Sequence, residues 1–195
     1  MKYILLTFII ISFSNAEAKK SYYPNGVLKN ITPYNKKGKK EGIAKTYYKN
    51  GNVAIEIPLE NDKREGIEKS YYMNGKLKYE APYKNGKKEG IVKEYYENNK
   101  LKSEKPYRND KLEGIIKMYS ESGSLKYEAS FKNGQEEGMS KKYYENGKLK
   151  YTAHHKNGKR EGVLIEYHKN GKVKRKESYK NGKVIDSSPS EHSQI

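Results

Sequence analysis

The groups able to do chemistry in this chain are histidines, glutamates and tyrosines; cysteine is absent, which excludes thiolate nucleophiles and disulfides. There are four histidines. His154 and His155 are adjacent, and neighbours on a strand point to opposite sides, the wrong arrangement for two ligands to one metal. His168 and His192 stand apart, so all four are read as surface or packing residues. The glutamates form an array: Glu41, Glu65, Glu89, Glu113, Glu137 and Glu161 recur every 24 residues. With one copy per two strands they sit ~10 Å apart, beyond the reach of paired acid-base work, and salt-bridging to strand lysines is their expected role. No Ser-His-Asp or Cys-His constellation can be assembled with an orienting partner. The expectation is a protein without catalytic residues, metal or cofactor.

Tyrosine is the remaining candidate, with 20 copies against three Phe and no Trp. Each Glu is followed by a glycine, at Gly42, Gly66, Gly90, Gly114, Gly138 and Gly162, and five residues later comes a tyrosine: Tyr47, Tyr71, Tyr95, Tyr119, Tyr143 and Tyr167. A second aromatic or a substitute follows at Tyr48, Tyr72, Tyr96, Ser120, Tyr144 and His168. Consecutive strand residues face opposite ways, so one ladder lies on the less buried side. Exposed Tyr among Lys suits a protein partner, or anionic glycans and lipid headgroups. Tyr47, Tyr71, Tyr95, Tyr119, Tyr143 and Tyr167 are the candidate interaction surface; the competing reading is that both ladders simply cover a thin sheet.

The elements that must position these residues are copies of one unit. Each repeat has two turn signals, such as Asn74-Gly75 and Asn85-Gly86, flanking alternating segments such as Leu77-Lys78-Tyr79-Glu80-Ala81-Pro82-Tyr83. The fold class expected is all-β: an elongated, twisted antiparallel meander of about seven 24-residue double-hairpin repeats, some fourteen strands, without helix. Taking every turn as a two-residue loop, Tyr96 faces Leu101, Ala81 faces Gly90, and residue 91 pairs with 80 on one side and 106 on the other. That register slips two residues per repeat and tilts the strands by roughly 35°. The repeat glycines then open slots into which neighbouring tyrosine rings lie. One face carries Leu77, Tyr79, Ala81, Tyr83, Gly90, Val92 and Tyr96; the other carries Lys78, Glu80, Pro82, Glu89, Ile91, Lys93 and Tyr95.

The run Tyr71 to Gly90, with Tyr-Tyr-x-Asn-Gly-Lys-Leu-Lys-x-Glu followed by Tyr-Lys-Asn-Gly-Lys-x-Glu-Gly, resembles the MORN repeat variant of bacterial YwqK-like antitoxins. The resemblance extends from Tyr22 to about Ile185. It implies an elongated antiparallel sheet and a protein-interaction scaffold; membrane-lipid binding has been proposed for some such repeats, and the antitoxin label implies a partner toxin. Similar repeats precede the kinase domain of some phosphatidylinositol phosphate kinases, but no Gly-rich phosphate loop, His-Arg-Asp or Asp-Phe-Gly occurs here.

The beginning of the chain is different. Lys2, the apolar run Tyr3 to Phe13 and Ala16-Glu17-Ala18 read as a signal peptide over residues 1–18 with cleavage after Ala18, followed by a repeat domain over 19–185 and a disordered tail over 186–195. The apolar run is too short for the ~20 residues of a membrane span. Export to the periplasm, the cell envelope or the medium follows. The formal charge is +17, and removing one Lys and one Glu with the leader leaves it unchanged. Such a balance attracts anionic surfaces, although lysine also keeps exposed strands soluble. A protein partner is expected first, an anionic membrane or envelope polymer second, and nucleic acid is disfavoured by export.

Overall fold

A computed structural model describes residues 17–189. They form one open antiparallel sheet of 19 strands and no helix. The strands are β1 (Ala18–Tyr22), β2 (Leu28–Pro33), β3 (Gly42–Tyr47), β4 (Val53–Glu60), β5 (Lys63–Arg64), β6 (Gly66–Tyr71), β7 (Leu77–Lys84), β8 (Lys87–Lys88), β9 (Gly90–Tyr95) and β10 (Leu101–Arg108). They continue with β11 (Lys111–Leu112), β12 (Gly114–Tyr119), β13 (Leu125–Lys132), β14 (Gln135–Tyr143), β15 (Leu149–Lys156), β16 (Lys159–Arg160), β17 (Gly162–Tyr167), β18 (Val173–Lys180) and β19 (Lys183–Pro189). Nineteen replace the expected fourteen largely because Glu65, Glu89, Glu113 and Glu161 each interrupt one arm of a hairpin, leaving a two-residue strand before it and a six-residue strand that begins at the following glycine.

The two turn sets are chemically distinct. Asn85 (φ 51°) and Gly86 (φ 83°) both lie in the left-handed region, and Lys84 pairs with Lys87, so the second set makes the expected two-residue type I′ loops from Asn61 onward, while Lys37-Gly38 closes a three-residue loop instead. At the first set only the last loop residue has positive φ, as at Asn99 (66°). Tyr96 N–H donates to the Lys100 carbonyl and Asn99 N–H to the Tyr96 carbonyl, which closes a three-residue loop. The Asn98 side chain selects it by accepting the Lys100 N–H at 3.0 Å. Tyr95, not Tyr96, therefore pairs with Leu101; a bulge at Lys102 restores the register, and Ile91 pairs with Pro106 as expected.

The pairing of Ala81 with Gly90 does not occur. Tyr83 pairs with Lys88 and Glu80 with Lys93, so the four residues 89–92 stand opposite only Ala81 and Pro82 and the arm carries two extra residues beginning at Glu89-Gly90. This cancels the slip. Lys45, Glu56, Lys69, Glu80, Lys93, Glu104, Lys117, Glu128 and Lys141 stand directly opposite one another on successive long strands. Equivalent residues are 24 apart in sequence and level in space, so the sheared sheet and its tilt are replaced by a solenoid-like stack.

Gly66, Gly90, Gly114, Gly138 and Gly162 stand opposite Tyr83, Tyr107, Phe131, His155 and Tyr179, so most repeat glycines do face a ring across the sheet, but the reason for glycine lies on another side of the backbone. Gly90 has φ 114°, which directs its missing Cβ toward the preceding long strand, and the atoms within 4 Å of that site belong to Pro82. Pro33, Pro58, Pro106 and Ser130 occupy the same place beside Gly42, Gly66, Gly114 and Gly138, whereas at Gly162 the site is open. Glycine thus serves a left-handed bulge that approaches a proline ring.

The two faces divide nearly as expected. The core face holds Ala81, Tyr83 and Val92 under Tyr79 and Tyr107, and later Ala153, Leu164 and Tyr179 under Tyr151. The opposite face, called the ladder face below, carries Glu80, Ile91, Lys93 and Tyr95. At the ends, Asp186 to Pro189 pair with Ser178 to Arg175 in β18, so these four residues of the expected disordered tail are strand; the rest of it lies outside the described residues. Ala18 opens β1 opposite Pro33, and residues 1–16 of the expected leader lie outside the description.

Candidate functional site on the ladder face

Three level rows build the ladder face, and zero slip makes them continuous. The first contains Tyr47, Tyr71, Tyr95, Tyr119, Tyr143 and Tyr167, all half-buried. Their hydroxyls reach back one repeat into the charged row: Tyr71 donates to Glu56 at 2.9 Å, Tyr95 to Glu80 at 2.8 Å, Tyr119 to Glu104 at 3.3 Å and Tyr143 to Glu128 at 2.9 Å. Lys45 binds Glu56 at 2.9 Å, Lys93 lies 3.6 Å from Glu80, and Lys141 binds Glu128 at 3.0 Å. Such cross-strand pairs contribute about 0.2–1 kcal/mol each. For Tyr47 and Tyr167 the corresponding positions are Ile31 and Thr152, which breaks the ladder at both ends.

The third row is apolar. Ile43, Ile67, Ile91, Ile115, Met139 and Val163 lie opposite Pro58, Pro82, Pro106, Ser130, His154 and Ser178. Their exposures of 52, 51, 50, 53, 44 and 48% show that half of each side chain faces solvent in every repeat. Strand alternation alone assigns Ile91 to this face but not to a row, because only a level register brings its copies into line.

The repeat glutamates do not pair with strand lysines. Glu65, Glu89, Glu113, Glu137 and Glu161 accept the backbone N–H of Asn85, Asn109, Asn133, Asn157 and Asn181, at 2.6 Å for the first and 2.8 Å for the others. Each carboxylate caps the next repeat's turn. The second tyrosines do the same at the other edge: Tyr23, Tyr48, Tyr72, Tyr96 and Tyr144 donate to the carbonyls of Tyr47, Tyr71, Tyr95, Tyr119 and Tyr167 at 2.7–2.8 Å. Both tyrosine ladders are therefore inter-repeat staples as well as surface.

A Ser-His-Glu arrangement, which sequence reasoning missed, lies on the core face. His155 Nδ1 is 3.4 Å from Ser140 Oγ and its Nε2 is 3.3 Å from Glu136, which also accepts from Tyr127 at 2.7 Å. The offset of 15 residues between Ser140 and His155 matches that of Val92 and Tyr107, so the repeat ruler contained the signal. Ser140 is only 1% exposed, so its hydroxyl cannot meet a substrate, and the trio serves as a polar plug in an aromatic slot. Among the described residues no group of three or more His, Asp or Glu is placed to hold a metal.

These groups set the pH range of stability. Burial and the hydrogen bond to its glutamate push Tyr71, Tyr95 and Tyr143 up to about 12. Their contribution is complete below pH ~10, where the unfolded phenol still holds its proton, and is lost as pH rises toward 12. The Lys45 hydrogen bond lowers Glu56; burial opposes the shift at Glu128, but Lys141 and Tyr143 overcome it. That contribution is present above the ordinary carboxylate value and is lost on acidification. Burial also lowers His155, whose contribution fades as pH falls below ~6.5. The urea midpoint should therefore be flat from about pH 7 to 10, and a Tyr71→Phe/Tyr95→Phe/Tyr143→Phe variant should lose midpoint less steeply above pH 10; an unchanged alkaline limb would remove these phenols from the account.

No curated protein matches the chain. The MORN repeat variant family model matches seven times, at residues 18–36, 40–61, 64–85, 88–109, 112–133, 136–157 and 160–181. These matches cover most of the chain and coincide with the structural repeats, so the protein belongs to the MORN repeat variant family.

Proposed function

We propose that the protein is an exported, non-enzymatic scaffold whose ladder face binds a protein partner. The apolar row carries this reading: six half-exposed residues aligned across the sheet, beside charges already neutralised in Lys–Glu pairs, form a surface with an apolar centre and a polar rim. The leader-like start supports export. Likeness to the YwqK-like antitoxins makes a toxin one class of partner, and it would appear as a one-to-one complex. A photo-cross-linking residue in place of Ile91, in cells producing the protein, should give a discrete adduct with a second protein. Ile67→Asp with Ile115→Asp should abolish it while changing stability by no more than about 0.5 kcal/mol per site. A cross-linker at Lys63, on a turn edge, should give none; adducts from Lys63 alone would contradict the reading.

A further inference from the structure

The core face carries a feature that the protein-binding reading leaves unused. Two cavities of about 380 and 350 Å³ open on it in succession, along one row of paired residues. The first lies between Lys78 and Lys102 against Tyr72 and Tyr79; the second lies between Lys102 and Lys126 against Tyr96, Tyr127 and Tyr151. They share Lys102, so they form one groove with the period of the repeat. The bulge after each three-residue loop supplies these lysines. Lys78 Nζ sits 5.5 Å from the Tyr72 ring centre, Lys102 5.7 Å from Tyr96 and Lys150 5.6 Å from Tyr144. Lys126 has Ser120 where the others have a ring. Among the described residues none of these four lysines is within ion-pair distance of a carboxylate, and Glu94, the one acid lining the groove, is held by Lys105 at 2.9 Å.

We propose that this groove binds a linear acidic polysaccharide in which a uronate alternates with a neutral sugar. The lysines recur every two strands, ~10 Å, similar to the rise of one disaccharide in an extended chain. Tyr79, Tyr127 and Tyr151, which carry no lysine over their rings, line the cavities and supply apolar surface for the sugar rings. Nucleic acid fits poorly, since its strand phosphates recur every ~3.4 Å and would leave most charges unmet by this row. A bilayer presents a plane, whereas these lysines border a trough.

The test is fluorescence anisotropy of the full chain with end-labelled oligosaccharides of alternating glucuronate and N-acetylglucosamine, one to six disaccharides long, at physiological salt. Affinity should rise through four disaccharides, matching Lys78, Lys102, Lys126 and Lys150, and then level off. Lys102→Gln and Lys126→Gln should each weaken binding about 5-fold, the scale of one charge-assisted contact. Lys63→Gln, which removes the same charge on the far turn edge, should change it less than 2-fold, by the screening of a remote exposed charge. Polyphosphate, single-stranded DNA and anionic vesicles should bind more weakly. Equal binding of polyphosphate, an equal loss in Lys63→Gln, or no binding of any oligosaccharide would overturn the proposal. Ile67→Asp/Ile115→Asp should leave this binding intact, so failure here is separable from failure of the ladder-face reading.

Discussion

Replacing Gly90 by alanine should destabilise the protein by about 3 kcal/mol, far more than an exposed substitution normally costs. Two effects add. The backbone at φ 114° is one that side-chain-bearing residues avoid, at about 1–3 kcal/mol. The new Cβ would also lie 2.9 Å from Pro82 Cγ, an atom in a rigid ring that cannot swing aside. The equivalent glycines separate these effects, because Gly42, Gly66, Gly90, Gly114 and Gly138 share a φ of 97–116° while the neighbour changes, and Gly162, at φ 77°, is eased on both counts. The Cβ site is 3.1 Å from Pro106 at Gly114, 3.2 Å from Pro33 at Gly42, 3.3 Å from Pro58 at Gly66 and 3.6 Å from Ser130 at Gly138. At Gly162 nothing lies within 4 Å. Urea denaturation of the six alanine variants should follow that order, with Gly162→Ala mildest at about 1 kcal/mol. Adding Pro82→Ala to Gly90→Ala should recover part of the loss, with a coupling of about 1 kcal/mol. Equal costs at Gly42, Gly66, Gly90, Gly114 and Gly138 would show that only the backbone angle matters and that the proline contact is incidental.

Much of the architecture was legible because its signals are local. The 24-residue ruler, the Asn-Gly turns and the alternation around Leu77 to Tyr83 identify an all-β repeat sheet and assign Val92 and Ile91 to opposite faces. What was not legible depends on counting residues through bulges. Asn98 and Asn85 look alike in sequence, yet one begins a three-residue loop held by its own side chain and the other a two-residue type I′ turn. The Glu-Gly pair reads as a strand glycine with a charged neighbour, but it is a two-residue excursion whose carboxylate caps the next turn. That difference of two residues decides whether equivalent side chains align. The apolar row, the Lys–Glu ladder and the lysine groove all appear only once they do.

The candidate tyrosines illustrate the same limit. Tyr71, Tyr95, Tyr119 and Tyr143 do share a face, as alternation required. Their hydroxyls, however, are engaged by glutamates of the preceding repeat, so the proposed partner contact is assigned to the half-exposed Ile67, Ile91 and Ile115 beside them. Composition could not distinguish a ring that meets a partner from one that fastens two repeats together.

Everything distinctive about this surface follows from strands that stack without slipping, and disulfide trapping measures that register directly. The chain has no cysteine, so any engineered pair reports alone. Residues directly opposite in an antiparallel pair have Cα atoms about 4.5–5.5 Å apart, within disulfide reach, whereas a two-residue offset puts them near 7–8 Å, beyond it. The level register predicts that Glu80→Cys/Lys93→Cys closes rapidly and nearly completely under mild oxidation, while Glu80→Cys/Ile91→Cys does not. Preferential closure of the second pair would restore a two-residue slip per repeat and dissolve the aligned rows.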